Sequence, residues 1–172
     1  LNLNNNGKEW CIELAKLLGD PTAKLVILDL SYTDIPDEGA IILGMAVLQN
    51  TTLNNLILNR QRSFSSVAWT SLISGLGGSS SLENVDLSLE NCIGAEGIVS
   101  LANSLVTNTS LEVLNLNDVC LTATGVAALA YALGKNSTLT RLDISNNITV
   151  NNVGWQNFFN LLRNNNSTLE IL

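Results

Sequence analysis

The sequence predicts an α/β solenoid, a right-handed horseshoe with a parallel β-sheet on its concave face and α-helices on its convex face. Two periodicities and one spacing carry that expectation. The string L-x-x-L-x-L opens at Leu25, Leu53, Leu82, Leu111 and Leu139, with Val85 and Ile144 as apolar replacements. The steps are 28, 29, 29 and 28 residues, so one structural unit repeats. Within a unit, the alternation Leu111, Leu114, Leu116 reads as a short strand with one buried face, whereas Leu129, Ala130 and Leu133 share one face of a helix. Gly39, Gly97, Gly125 and Gly154 each precede such an apolar stretch, and Ala68 takes that place once. Such a unit cannot bury its apolar face alone and must stack on its neighbours. Strands pack about 4.8 Å apart and helices about 8–10 Å apart, so the stack curves with the sheet inside.

The elements follow in order. Parallel strands are expected near 25–30, 53–58, 82–87, 111–116 and 139–144, and helices near 8–18, 39–49, 67–76, 96–106, 124–134 and 154–163. Residues 1–172 thus form one domain of about six repeats. Because Leu1-Asn2-Leu3 and Glu170-Ile171-Leu172 both resemble strand fragments, the expectation is a segment of a longer array.

Composition narrows function. The chain has no histidine, which excludes a Ser/His/Asp or Cys/His catalytic set and any zinc site needing imidazole. Eight basic residues against 15 acidic ones give a net charge of −7, leaving no basic stripe for nucleic acid. Cys11, Cys92 and Cys120 are an odd, widely spaced set without C-x-x-C, which points to free thiols, a reducing compartment and a cytoplasmic location. No apolar run reaches the ~20 residues that span a bilayer. Neither cofactor nor metal is expected.

The repeat pattern resembles leucine-rich repeats of the ribonuclease-inhibitor type, the family that includes the C-terminal arrays of NOD-like receptors and the Ran GTPase-activating protein. The resemblance implies a scaffold more than a function. One departure is plain. Where that pattern places an asparagine or cysteine bonding loop backbone, this chain has Thr33, Gln61, Glu90 and Val119, and only Asn147 conforms. Thr33 and Gln61 can still bond an amide, but Val119 cannot, which leaves Asn91 or Asp118 as substitutes.

Stacking aligns the strand positions that face away from the helices. The central column reads Asn2, Asp29, Ile57, Asp86, Asn115, Asp143; the next reads Asn4, Ser31, Asn59, Ser88, Asn117, Ser145; a third reads Asn5, Tyr32, Arg60, Leu89, Asp118, Asn146. With Glu83 and Glu112 this face is mainly acidic and amide, interrupted by Arg60 and Arg141. L-D-L-S is also the ordinary look of this repeat type. The expected function is a protein-interaction module whose concave face, through Asp29, Tyr32, Arg60, Asp86, Asn115, Asp118, Asp143 and Asn146, takes a partner with a basic surface. The alternatives are a regulator of a small GTPase or the sensing array of an NOD-like receptor.

Three other features have structural explanations. Asn50, Asn108, Asn136, Asn147 and Asn166 match the glycosylation pattern, but most sit just past a helix, where asparagine suits a left-handed cap. Gly75, Gly77 and Gly78 read as a helix stop and turn, since no lysine accompanies them. Trp10, Trp69 and Trp155 lie at or beside the unit's glycine position, where packing between helices competes with an outer-surface contact.

Overall fold

A computed structural model describes residues 7–61, 64–89, 93–164 and 168–170. The elements alternate: α1 (Gly7–Gly19), β1 (Ile27–Asp29), α2 (Asp37–Gln49), β2 (Asn55–Ile57), α3 (Ser66–Gly78), β3 (Asn84–Asp86), α4 (Gly94–Leu105), β4 (Val113–Asn115), α5 (Ala123–Leu133), β5 (Arg141–Asp143) and α6 (Asn152–Asn164). The five strands form one sheet in chain order, every pair parallel. Each predicted strand is present, shortened to its central three residues. Each helix packs on the next, so the solenoid expectation holds.

Register follows from the leucines. Leu28, Leu56, Val85, Leu114 and Leu142 align across the sheet on the helix side. Leu53, Leu58, Leu82, Leu87, Leu111, Leu116 and Leu139 are buried with them. A one-residue slip would turn this row to solvent, so the apolar pattern fixes the pairing.

The recurring glycine is steric in origin. A Cβ on Gly97 would lie 2.7 Å from Ile93 Cγ2, and one on Gly154 2.8 Å from Val150 Cγ1. In these two units the first helical turn sits directly on the β-branched residue four positions earlier, whereas at Gly125 the near atom is Ile98 Cγ2 of the preceding unit, 2.9 Å away. Side-chain caps start three helices: Ser65 Oγ accepts from the Ala68 amide, Thr122 Oγ1 from Gly125 and Asn151 Oδ1 from Gly154.

Four expectations need correction or refinement. Gly75 and Gly77 lie inside α3, which ends only at Gly78 with Ser79 as its cap, so the helix runs two residues past the expected 76 and the first two glycines are not its stop. Gly75 lets the Gly44 backbone approach, while Gly77 and Gly78 leave room for the side chains of Ser104 and Leu48. Asn50 caps α2 in an extended conformation with φ −76°, and neither Asn108 nor Asn136 is left-handed. These three are instead buried rungs of a ladder. Each amide nitrogen donates to carbonyls of the preceding unit, as from Asn136 to Leu105 and Asn108, while Oδ1 accepts from amides two and three residues on, as from Thr138 and Leu139. Asn50 and Asn108 repeat the arrangement, and Ser79 Oγ holds the acceptor half in the unit between.

The ladder along the loops after the strands is also kept, by side chains of the following unit. Asn147 Oδ1 accepts from Val119 and Leu121 of the previous unit, so neither Asp118 nor any side chain of that loop is needed. Gln61 does the same for Ile35 and donates to the Leu30 carbonyl, which Thr33 Oγ1 also reaches. Asn91 lies outside the described residues. Trp69 is a core residue, stacked edge-on against Phe64 with ring centroids 4.8 Å apart, which overturns an outer-surface role for it. Cys11 and Cys120 carry thiols, whereas Cys92 lies outside the described residues. Burial pushes the Cys11 thiol up to about 12.

Candidate concave binding face

Asp29, Ile57, Asp86, Asn115 and Asp143 are register partners, so the central column is present as the spacing predicts; Asn2 is outside the described residues. Being the last residue of its strand, each of the four polar members also closes a turn. Asp29 Oδ1 accepts from the Ser31 amide at 2.9 Å and hydroxyl at 2.5 Å, and Asp143 treats Ser145 in the same way. Asp86 accepts from the Ser88 amide at 2.8 Å and Asn115 from the Asn117 amide at 3.0 Å. The Ser31 hydroxyl and then its amide hold the Asp29 carboxyl below the ordinary carboxylate range.

One carboxylate oxygen is thus structural, and among the described residues the other accepts no protein hydrogen bond. This division makes charge and turn separable. Asp86→Asn is expected to leave the unfolding free energy within about 0.5 kcal/mol of the parent's, because the amide oxygen still accepts from Ser88. Asp86→Ala removes the acceptor and should cost about 1 kcal/mol, measured by urea unfolding.

The other two columns are placed differently from the sequence reading. They are not strand positions but the turn after each strand. Tyr32, Arg60, Leu89, Asp118 and Asn146 all have positive φ, between 52° and 59°, so one left-handed residue recurs at each turn. Arg60 lies over the Tyr32 ring, with its guanidinium carbon 5.2 Å from the centroid. Tyr32 is 68% exposed, and Arg60, Asp118 and Asn146 are exposed. Of the eight residues expected to bind, four thus stand in the strand column and four in the turn row that follows it.

Two clefts were not foreseen. A polar one of about 450 Å³ runs along the strand entries, lined by hydroxyls such as Thr51, Ser80 and Thr109 and by Glu83 and Glu112. A larger, open one of about 790 Å³ lies beside β5, between Leu142, Asp143, Trp155 and Phe159. Phe159 joins Trp155 and Phe158 in an aromatic cluster on α6. The sequence signal for the first was the Asn-x-Ser/Thr-Leu spacing, which reads equally as glycosylation. Among the described residues no helix is long and apolar enough to cross a membrane.

No family model matches the chain. It is similar to protein CARMIL of Dictyostelium discoideum, with 32% identity over 126 residues, covering 68% of this chain and 12% of that protein. The chain therefore spans about an eighth of the length of this curated relative. Among solved structures it resembles leiomodin-1 actin-binding site 2, with a TM-score of 0.71, 19% identity and coverage of 94% of this chain and 90% of that one. It also resembles the tropomodulin C-terminal domain of Caenorhabditis elegans, with a TM-score of 0.71, 15% identity and coverage of 90% and 92%. At these identities the likeness to solved structures establishes the architecture alone: the chain is a leucine-rich-repeat-like solenoid with a parallel sheet.

Proposed function

We propose that this chain is a protein-interaction scaffold of the cytoplasm and not an enzyme, and that its concave face receives a partner with a basic surface. The observation that carries the reading is the register of Asp29, Asp86 and Asp143, each with one oxygen tied into a turn and the other available. Asn115, Asp118 and Asn146 extend that acceptor surface, while Tyr32 supplies an aromatic anchor beside Arg60. Aligned acids raise the association rate of a basic partner, and a rigid aromatic loses little entropy on binding.

The likeness to an actin-binding site of leiomodin-1 makes actin the first partner to test. These relatives lend no support to the Ran-activator or NOD-like-receptor alternatives. The ribonuclease-inhibitor subtype rests on the repeat pattern alone. We also propose that residues 1–172 are one domain of about six repeats within a longer array. Two observations favour this: Glu170 donates to the Thr140 carbonyl as Thr140 does to Glu112, and the CARMIL relative is far longer.

The test is binding to actin, monomeric by gel filtration and filamentous by pelleting, with Asp86→Asn/Asp118→Asn/Asp143→Asn as the face control. Binding by the parent that weakens roughly tenfold or more in the triple variant supports the proposal, about 1.4 kcal/mol. Binding unchanged in the variant moves the interface off the acidic column.

A further inference from the structure

We infer that the left-handed row Tyr32–Arg60–Leu89–Asp118–Asn146 is a charge-polarised rim, which takes an extended segment placing a carboxylate over Arg60 and a basic side chain over Asp118. This rests on the reading that the concave side binds protein, and adds the polarity of what it binds. The first observation is conformational. All five residues hold φ between 52° and 59°, a region that asparagine and aspartate enter cheaply and bulky residues do not. The last two units follow that rule with Asp118 and Asn146. The first two break it with Tyr32 and Arg60, whose exposed side chains add nothing to the core. Local strain kept without a packing return marks a surface used for something else.

Chemistry then says what the surface takes. The Arg60 guanidinium carbon lies 5.2 Å from the Tyr32 ring centroid, a contact that favours this placement, and a guanidinium takes a carboxylate bidentately. Among the described residues no carboxylate lies within ion-pair distance of Arg60. Beside it the acid column is interrupted, since Ile57 stands where the flanking strands carry Asp29 and Asp86. An incoming acid thus meets an apolar neighbour at this strand. Two strands on, about 10 Å away, Asp118 offers the opposite charge, with half-buried Leu89 between them. An extended segment covers that distance in about three residues.

The experiment uses three end-blocked nine-residue peptides titrated against the chain by fluorescence anisotropy: one with an acidic end, an apolar centre and a basic end, one with the same residues in alternating charge order, and one wholly basic. The polarised peptide is expected to bind about tenfold tighter than the alternating one, and Arg60→Asn should abolish that preference. Tyr32→Asn and Arg60→Asn should each keep or raise the urea midpoint, because asparagine suits the left-handed turn. Equal affinities, a preference that survives Arg60→Asn, or a lowered midpoint in both variants overturns the rim. Binding of the wholly basic peptide with no polarised preference overturns the rim but keeps the acidic face. Binding of none overturns both.

Discussion

Gly75→Ala is expected to lower the unfolding free energy by about 3 kcal/mol or more, read from urea denaturation followed by circular dichroism. A Cβ at this position would lie 2.0 Å from the Gly44 carbonyl oxygen and 2.6 Å from its carbon. Both are backbone atoms in the middle of α2, so no rotamer change can clear them. The reciprocal contact is equally tight, since a Cβ on Gly44 would lie 2.6 Å from the Ser71 carbonyl oxygen. The α2–α3 pair must therefore move apart, uncovering Leu43, Leu72 and Leu76, which are buried near it. Gly19→Ala is the control. Nothing lies within 4 Å of its added Cβ, and the change should be neutral or stabilise by a few tenths of a kcal/mol, roughly the smaller part of the helix preference for alanine. If Gly75→Ala matched Gly19→Ala, the two helices would not be in backbone contact.

The second large effect belongs to Asn147→Ala, for which a loss of about 3–4 kcal/mol is expected in the same assay. This side chain is buried and makes five bonds. Its amide donates to the carbonyls of Leu116 and Ile144 at 2.9 Å and of Ser145 at 3.1 Å, and its oxygen accepts from Val119 at 3.1 Å and Leu121 at 3.0 Å. Val119 and Leu121 are themselves fully buried, so their amides would have neither the old acceptor nor water. Leaving a buried donor unpaired costs about 1–3 kcal/mol, and here two are affected at once. Asn147→Asp, which keeps the acceptor but loses the donor facing three carbonyls, should also destabilise. A full-strength ladder in either variant would show that these loops are held by something else.

These two positions show what the sequence can carry. The L-x-x-L-x-L spacing located all five strands because apolar alternation is set by burial, and burial is what fixes register. Helix positions came within about two residues for the same reason. The central strand column was legible too, since parallel pairing at a step of 28 or 29 residues, read from the leucines, leaves one alignment. What stayed hidden depends on contacts between units. A buried amide ladder and a glycosylation site share the signature Asn-x-Ser/Thr, and only the carbonyls of the preceding unit distinguish them. Gly75 and Gly78 look like a helix stop unless α2 lies close alongside. The left-handed row was equally out of reach, because nothing in Tyr32 or Arg60 favours positive φ. Val119 looked like a break in the loop ladder because its bond comes from Asn147, in the next unit.

The central claim, that the acid column recruits a basic partner, is tested most directly by timing association. Labelled chain and Asp86→Asn/Asp118→Asn/Asp143→Asn are mixed by stopped flow with actin, or with whichever protein the binding assays establish, at low and at physiological salt. Asparagine keeps the Ser88 and Ser145 turns, so any difference reports charge and not folding. The expected result is a parent rate that falls steeply with salt and exceeds the variant's by roughly tenfold at low salt, with the gap narrowing as the ~8 Å screening length of physiological salt is approached. Equal rates for the two chains at both salts would contradict the claim and reduce the acidic column to its turn-closing role.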